Sequence, residues 1–185
     1  MSGRNTLFRR VLSGVLAATA LCAFAVSDKR EPAPQFIAKT TTGERFSNEN
    51  IKGKVTLLEF WTTWCPYCAR EQELVDDINK EFAPKGLIVL AVDVAESKKV
   101  VKKYLEAHPR SCRIVLTEDT NLAAMYAATS YPIYVAIDRD GNVAGIQHGA
   151  GGEGALRRLL SRAGLDSDDD DDSDSKEKPK DPSKN

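Results

Sequence analysis

Residues 55–68 read V-T-L-L-E-F-W-T-T-W-C-P-Y-C. The opening run, Val55 to Phe60, is too continuously apolar for a half-exposed strand, so it predicts a buried strand, central and parallel-paired. Cys65 follows after four intervening residues, and Cys68 after two more. Residues 69–82 then place Leu74, Val75, Ile78 and Phe82 at helical spacing, and Pro84 with Gly86 closes that helix. Two cysteines therefore stand where a buried strand hands over to a helix. What they do there decides the reading of the chain.

Before this unit, Ala33-Pro34-Gln35-Phe36 opens an extended segment that turns at Thr42-Gly43-Glu44 and returns through Arg45-Phe46, a small hairpin. After it, residues 87–92 read as a second buried strand. Residues 97–107 read as a helix with Val100, Val101, Tyr104 and Leu105 on its inner face, ended by His108-Pro109. A short strand at 114–116 and a short helix at 121–128 follow. Strands at 134–137 and 143–146 flank Asp140-Gly141, a hairpin-turn signal, and a last helix spans 153–162. The pattern is α/β: a central mixed sheet flanked by helices, with an N-terminal hairpin and an inserted helix–strand unit at 97–116.

The two ends differ from this core. Residues 1–25 carry Arg4, Arg9 and Arg10, then an apolar stretch from Val11 to Val26 with Ala23-Phe24-Ala25 near its close. A basic start, a short apolar middle and a small-x-small site describe a secretory signal peptide cut after Ala25. The stretch falls short of the about 20 residues of a membrane span, and an uncleaved anchor that tethers the protein is the second reading. Bulky Leu21 disfavours lipid attachment at Cys22. Residues 26–32 are a linker, and 33–163 form one domain. Residues 164–185 are an acidic tail, expected to be disordered for want of apolar surface to bury. The localisation implied is export, to a bacterial periplasm.

The 185 residues carry a net charge of −1 and no basic, aromatic-interleaved patch, so nucleic acid is not an expected partner. The cysteines outside the signal segment are Cys65, Cys68 and Cys112, too few for a disulfide framework in a domain of this size. No metal is expected: structural zinc needs four ligands, and there is no second cysteine pair, while His108 and His148 are isolated on different elements. Ala69 stands where c-type haem attachment needs histidine. A redox reading has a mechanism. A helix N-terminus stabilises a thiolate at Cys65, which attacks a disulfide, and Cys68 one turn on resolves the mixed disulfide. Pro66 suits the first helical position, where no N–H partner exists.

The stretches Ala33-Pro34-Gln35-Phe36, Gly53-Lys54-Val55, E-F-W-T-T-W-C-P-Y-C, S-Y-P-I-Y-V-A-I-D-R-D-G and Gly149-Ala150 together resemble exported thioredoxin-family thiol–disulfide oxidoreductases of the TlpA-like class, the type that serves cytochrome c maturation. The resemblance implies a thioredoxin-like fold with no cofactor beyond the dithiol. It assigns Cys65 as nucleophile, Cys68 as resolving thiol and Pro132 as the cis-proline facing them, with Tyr131 offering its backbone to an extended substrate. Tyr131 is bulkier than the residues usual there. Glu59 matches the buried acid of thioredoxins, a proton relay for Cys68. The lysine that often accompanies that acid is missing, since Val89-Leu90 is apolar, so Glu59 is expected to resist ionisation. Glu71 matches an acid of the maturation reductases; a solvent-facing first-turn glutamate is the alternative. Trp64, Pro66 and Tyr67 support the site, Trp61 belongs to the core and Cys112 is a packed thiol.

Direction remains open on the dipeptide Pro66-Tyr67 alone. Acids at Glu59 and Glu71 oppose thiolate formation and favour a reductant, recharged by a membrane thiol–disulfide carrier and acting on exported proteins such as apocytochrome c. A disulfide oxidase or isomerase is the alternative, and a copper- or protein-binding module on the same scaffold is a further one. A peroxidase of the related superfamily would want a single peroxidatic cysteine in its own loop.

Overall fold

A computed structural model describes residues 30–166. The signal segment, most of the linker and nearly all of the acidic tail lie outside those residues. In chain order the elements are β1 (Ile37–Thr40), β2 (Arg45–Ser47), β3 (Val55–Trp61), α1 (Pro66–Phe82), β4 (Leu87–Asp93), α2 (Lys98–Ala107), β5 (Arg113–Thr120), α3 (Leu122–Met125), β6 (Ile133–Ile137), β7 (Val143–His148) and α4 (Glu153–Arg162).

One seven-stranded sheet runs β2-β1-β5-β4-β3-β6-β7. Every residue of β3 and β4 is buried, as their unbroken apolar runs predict. The sheet is mixed, and β3 shows why: it pairs in parallel with β4, Glu59 opposite Ala91, and antiparallel with β6, Glu59 opposite Tyr134. Alternate residues of β3 serve two cores. Leu57 and Trp61 face the layer that includes Cys65, Cys68, Val75, Val101 and Leu156, hence α1, α2 and α4. Leu58 and Phe60 face the layer with Phe36 and Leu122.

Helix α1 begins at Pro66, the position expected to open it, and Cys65 caps it. Several expectations need adjusting. Helix α3 stops at Met125, and Ala127 turns to a positive φ of 46°. The β5 strand is longer than 114–116, since its far half meets β1. Val100 is 45% exposed and not on the inner face of α2: two adjacent helical residues point about 100° apart, and Val101 takes the core. Among the described residues no helix is long and apolar enough to cross a membrane.

Candidate active site

The C-terminal end of β3 delivers the chain to α1 through Thr62, Thr63 and Trp64. Cys65 is the N-cap, with extended backbone (φ −80°, ψ 109°), and its sulfur accepts from the Cys68 N–H at 3.1 Å. Pro66 at N1 has no N–H to leave unpaired. The two sulfurs are joined in a disulfide with a Cα separation of 5.3 Å, and both cysteines are almost fully covered. A thiolate released at Cys65 would face the free N–H groups and positive end of a 17-residue helix with no acid in its first turn. That favours the nucleophile over the more interior Cys68.

Aromatic residues rim the pair. Trp64 is 68% exposed and meets Tyr131 edge-on, ring centres 5.9 Å apart. Tyr67 is also exposed, with the Arg70 guanidinium 4.5 Å over its ring. The Tyr131–Pro132 peptide bond is cis. It lies one step beyond the Phe60–Ile133 pair, hence beside the end of β3 that leads to Cys65. The Pro132 carbonyl accepts from Gly149 at 2.8 Å, whereas the Tyr131 N–H and carbonyl enter no hydrogen bond among the described residues.

Beneath the dithiol lies a buried polar network. Glu59 is wholly buried on the α1 side of the sheet, its Oε2 2.8 Å from Arg110 Nη2, while Oε1 has no hydrogen-bond partner among the described residues. Arg110 Nε reaches both oxygens of Asp76 on α1 at 3.2 Å, and Asp76 also accepts from the Ser111 N–H. Burial pushes the Glu59 carboxyl above its usual range, and Arg110 opposes that rise without cancelling it. Glu59 thus resists ionisation even with a cation beside it. β4 supplies no lysine, but the segment before β5 supplies an arginine. Cys112 is buried beside this network, its thiol pushed up mainly by loss of solvent.

Glu71 is not a solvent-facing first-turn residue. It is 5% exposed, accepting from the Tyr134 hydroxyl at 2.8 Å and the Gly152 N–H at 2.6 Å. Burial raises the Tyr134 hydroxyl, with Glu59 and Glu71 adding to the effect. Glu59 and Tyr134 are cross-strand partners, so the two acids flank one tyrosine. Sequence reasoning missed Arg110, Asp76 and Tyr134. Asp76 had a signal: a charge among the buried α1 positions Val75, Ile78 and Phe82 calls for a counter-ion. His108 stacks on Tyr104, 4.3 Å between centres, and His148 is exposed. Among the described residues no group of three or more His, Cys, Asp or Glu is placed to hold a metal.

The sequence pattern of the AhpC/TSA family matches residues 30–146. The thiol-disulfide oxidoreductase ResA of Bacillus subtilis is 30% identical over 129 residues, 70% of this chain and 72% of that one. The thioredoxin-like protein YneN of the same organism is 34% identical over 122 residues, 64% and 71% of the two chains. A Bacillus cereus protein of the ResA name is matched over 64% of its length, a little under two thirds. Among solved structures, a thiol:disulfide interchange protein of the thioredoxin family from Chlorobium tepidum superposes with a TM-score of 0.63 at 27% identity. That match covers 73% of this chain and 97% of the other.

Proposed function

The chain belongs to the AhpC/TSA family and is a thioredoxin-like thiol–disulfide oxidoreductase with a Cys65–Cys68 pair, and on that premise we propose that it acts as a reductant of exported proteins. The observation that carries the direction is the burial of Glu59 and Glu71 beneath the pair. Strong oxidants depend on an unusually stabilised thiolate, and carboxylates in the layer below work against one. Arg110 offsets one of those charges and leaves Glu71 and Asp76 to outweigh it.

In this reading Cys65 attacks a substrate disulfide, Cys68 resolves the mixed disulfide, and a proton leaves Cys68 for the unpartnered Oε1 of Glu59. The free backbone of Tyr131 aligns an extended substrate as an added strand, and Trp64 with Tyr67 gives it an aromatic rim. The substrates are exported proteins bearing disulfides, apocytochrome c among them. A membrane thiol–disulfide carrier returns the dithiol to its reduced form. The basic-then-apolar pattern of residues 1–25 supports action outside the cytoplasm.

The test is a trap. Cys68→Ala leaves Cys65 unable to be resolved, so mixed disulfides with substrates accumulate and can be identified by mass spectrometry. Partners captured with the nucleophile on their own reducible cysteines support a reductant. Absence of any disulfide-bearing partner in the trap, with a wild-type dithiol potential near that of the strong oxidant DsbA, would overturn it.

A further inference from the structure

The Asp93 side chain, at the end of β4, is wholly buried, and no donor among the described residues meets either carboxylate oxygen with hydrogen-bonding geometry. Its register partners are Trp61 on β3 and Leu116 on β5, neither charged. The ionisable groups that face it are Glu96, from the loop after β4, and Tyr131, from the segment before β6. The Glu96 N–H lies near enough to ease a charge slightly, but its side chain is another carboxylate. Acceptor faces acceptor. Two carboxylates in that position repel, and the arrangement becomes favourable when one carries a proton and donates it to the other.

Glu96 is not idle. Its Oε2 accepts from the Thr63 N–H and its Oε1 from the Thr63 hydroxyl, both at 2.6 Å. Thr63 stands two residues before Cys65, in the loop that places the nucleophile at the helix N-cap. The loop carrying Glu96 is itself fixed. Ala95 adopts φ 63°, a conformation rare for alanine, while its N–H donates to the Thr117 hydroxyl at 2.9 Å, which in turn donates to the Asp93 carbonyl at 2.6 Å.

We infer that Asp93 is a positioning residue that holds a proton shared with Glu96, and that this carboxyl pair clamps the Thr63 turn so that Cys65 stays at the helix N-cap. Loss of the proton sets two negative charges side by side, drives Glu96 off Thr63 and frees the nucleophile's loop. The proton is held well into the neutral range: burial first, then Glu96, pushes the Asp93 carboxyl up to about 8. The clamp is therefore closed at neutral pH and opens in mild alkali. Its consequence for exchange rests on the dithiol reading above, but its existence does not.

The experiment uses the oxidised protein, in which neither Cys65 nor Cys68 titrates, and follows the Thr63 amide by NMR between pH 5 and 10. The wild type should show an inflection near pH 8 and a fall in amide protection above it. Asp93→Asn, whose amide keeps a donor to Glu96 and cannot ionise, should abolish the inflection. Glu96→Gln removes the neighbouring charge, so the inflection should move to lower pH and the fall in Thr63 protection above it should disappear. A flat wild-type profile, an inflection that survives in Asp93→Asn, or one unmoved in Glu96→Gln would each overturn the inference. Because the readout is in the disulfide form, such a failure leaves the reductant proposal standing. Failure of the Cys68→Ala trap likewise leaves the clamp untouched.

Discussion

Replacing Arg110 by Met tests whether the network under the dithiol holds the charges assigned to it. The Arg110 side chain is 1% exposed and sits between Glu59, 0% exposed, and Asp76, 11% exposed. Removing one partner of a buried ion pair typically costs about 3–5 kcal/mol, because the other charge is left uncompensated. Here two carboxylates lose their cation, so the upper part of that range applies at pH 7. With a urea m-value of about 2 kcal/mol/M, a loss of about 4 kcal/mol lowers the midpoint by about 2 M. Far-UV circular dichroism on the oxidised protein is the suitable probe, since Arg110 also lies over the Trp61 ring, 5.7 Å from its centre, and its loss alters fluorescence directly. The pH dependence gives the sharper check. The folded Glu59 carboxyl lies above its usual range, so protonating it favours the folded state, and stability falls as pH rises through its folded value. Taking away Arg110 lifts that value further and steepens the fall, so the deficit of Arg110→Met should shrink toward pH 4.5. Adding Glu59→Gln should recover part of the loss, by a coupling of about 1–3 kcal/mol. A deficit under about 1 kcal/mol at pH 7, or one equal at both pH values, would refute the reasoning.

Two further outcomes follow from the same geometry. Glu71→Gln removes a negative charge one helical turn from Cys68, keeps an acceptor for the Gly152 N–H and turns its NH2 to the Tyr134 hydroxyl, which can accept, so the dithiol should become more oxidising. A change on the order of 1 kcal/mol in thiolate stability corresponds to about 20 mV, measured by equilibration with glutathione; an unchanged or lower potential counts against the acids' role in direction. Cys112, buried with its thiol pushed up, should resist alkylation in the native oxidised protein and react on unfolding. Peptide mapping that finds native Cys112 labelled as fast as a denatured control would contradict its burial.

The strand–dithiol–helix unit was legible because its signals are contiguous: an apolar run, a proline at the helix start and a 3.6-residue stripe all fall within residues 55–82. The thioredoxin-like class, a mixed sheet flanked by helices, then followed from alternating elements and the resemblance. What the sequence could not display were contacts between distant residues. Arg110 is 51 residues from Glu59, and Tyr134 and Gly152 are 63 and 81 from Glu71. Nothing local marks a glutamate at the sixth position of a helix as buried when its donors arrive from another strand and another helix. Val100 failed for the opposite reason. The local stripe offered two adjacent apolar residues, and only the packing of α2 onto the core layer selected Val101.

The buried polar groups also explain how one short helix end can serve both halves of an exchange cycle. The cap at Cys65 draws on α1 alone: its free N–H groups and dipole favour the thiolate that starts the reaction. The acids act from the sheet and from lower on α1, where Glu59 meets Arg110 and Glu71 meets Tyr134. A charge at Cys65 therefore gains from the helix and loses to the carboxylates, and the balance sets how readily the dithiol gives up electrons. Because Arg110 is held by Glu59 and Asp76 together, Glu59 can accept a proton without leaving the arginine unpaired, while Asp76 keeps it in place. That division lets one acid be reversible and the other structural. If Glu59 takes the Cys68 proton as proposed, Asp76 on the same guanidinium keeps the buried cation fixed.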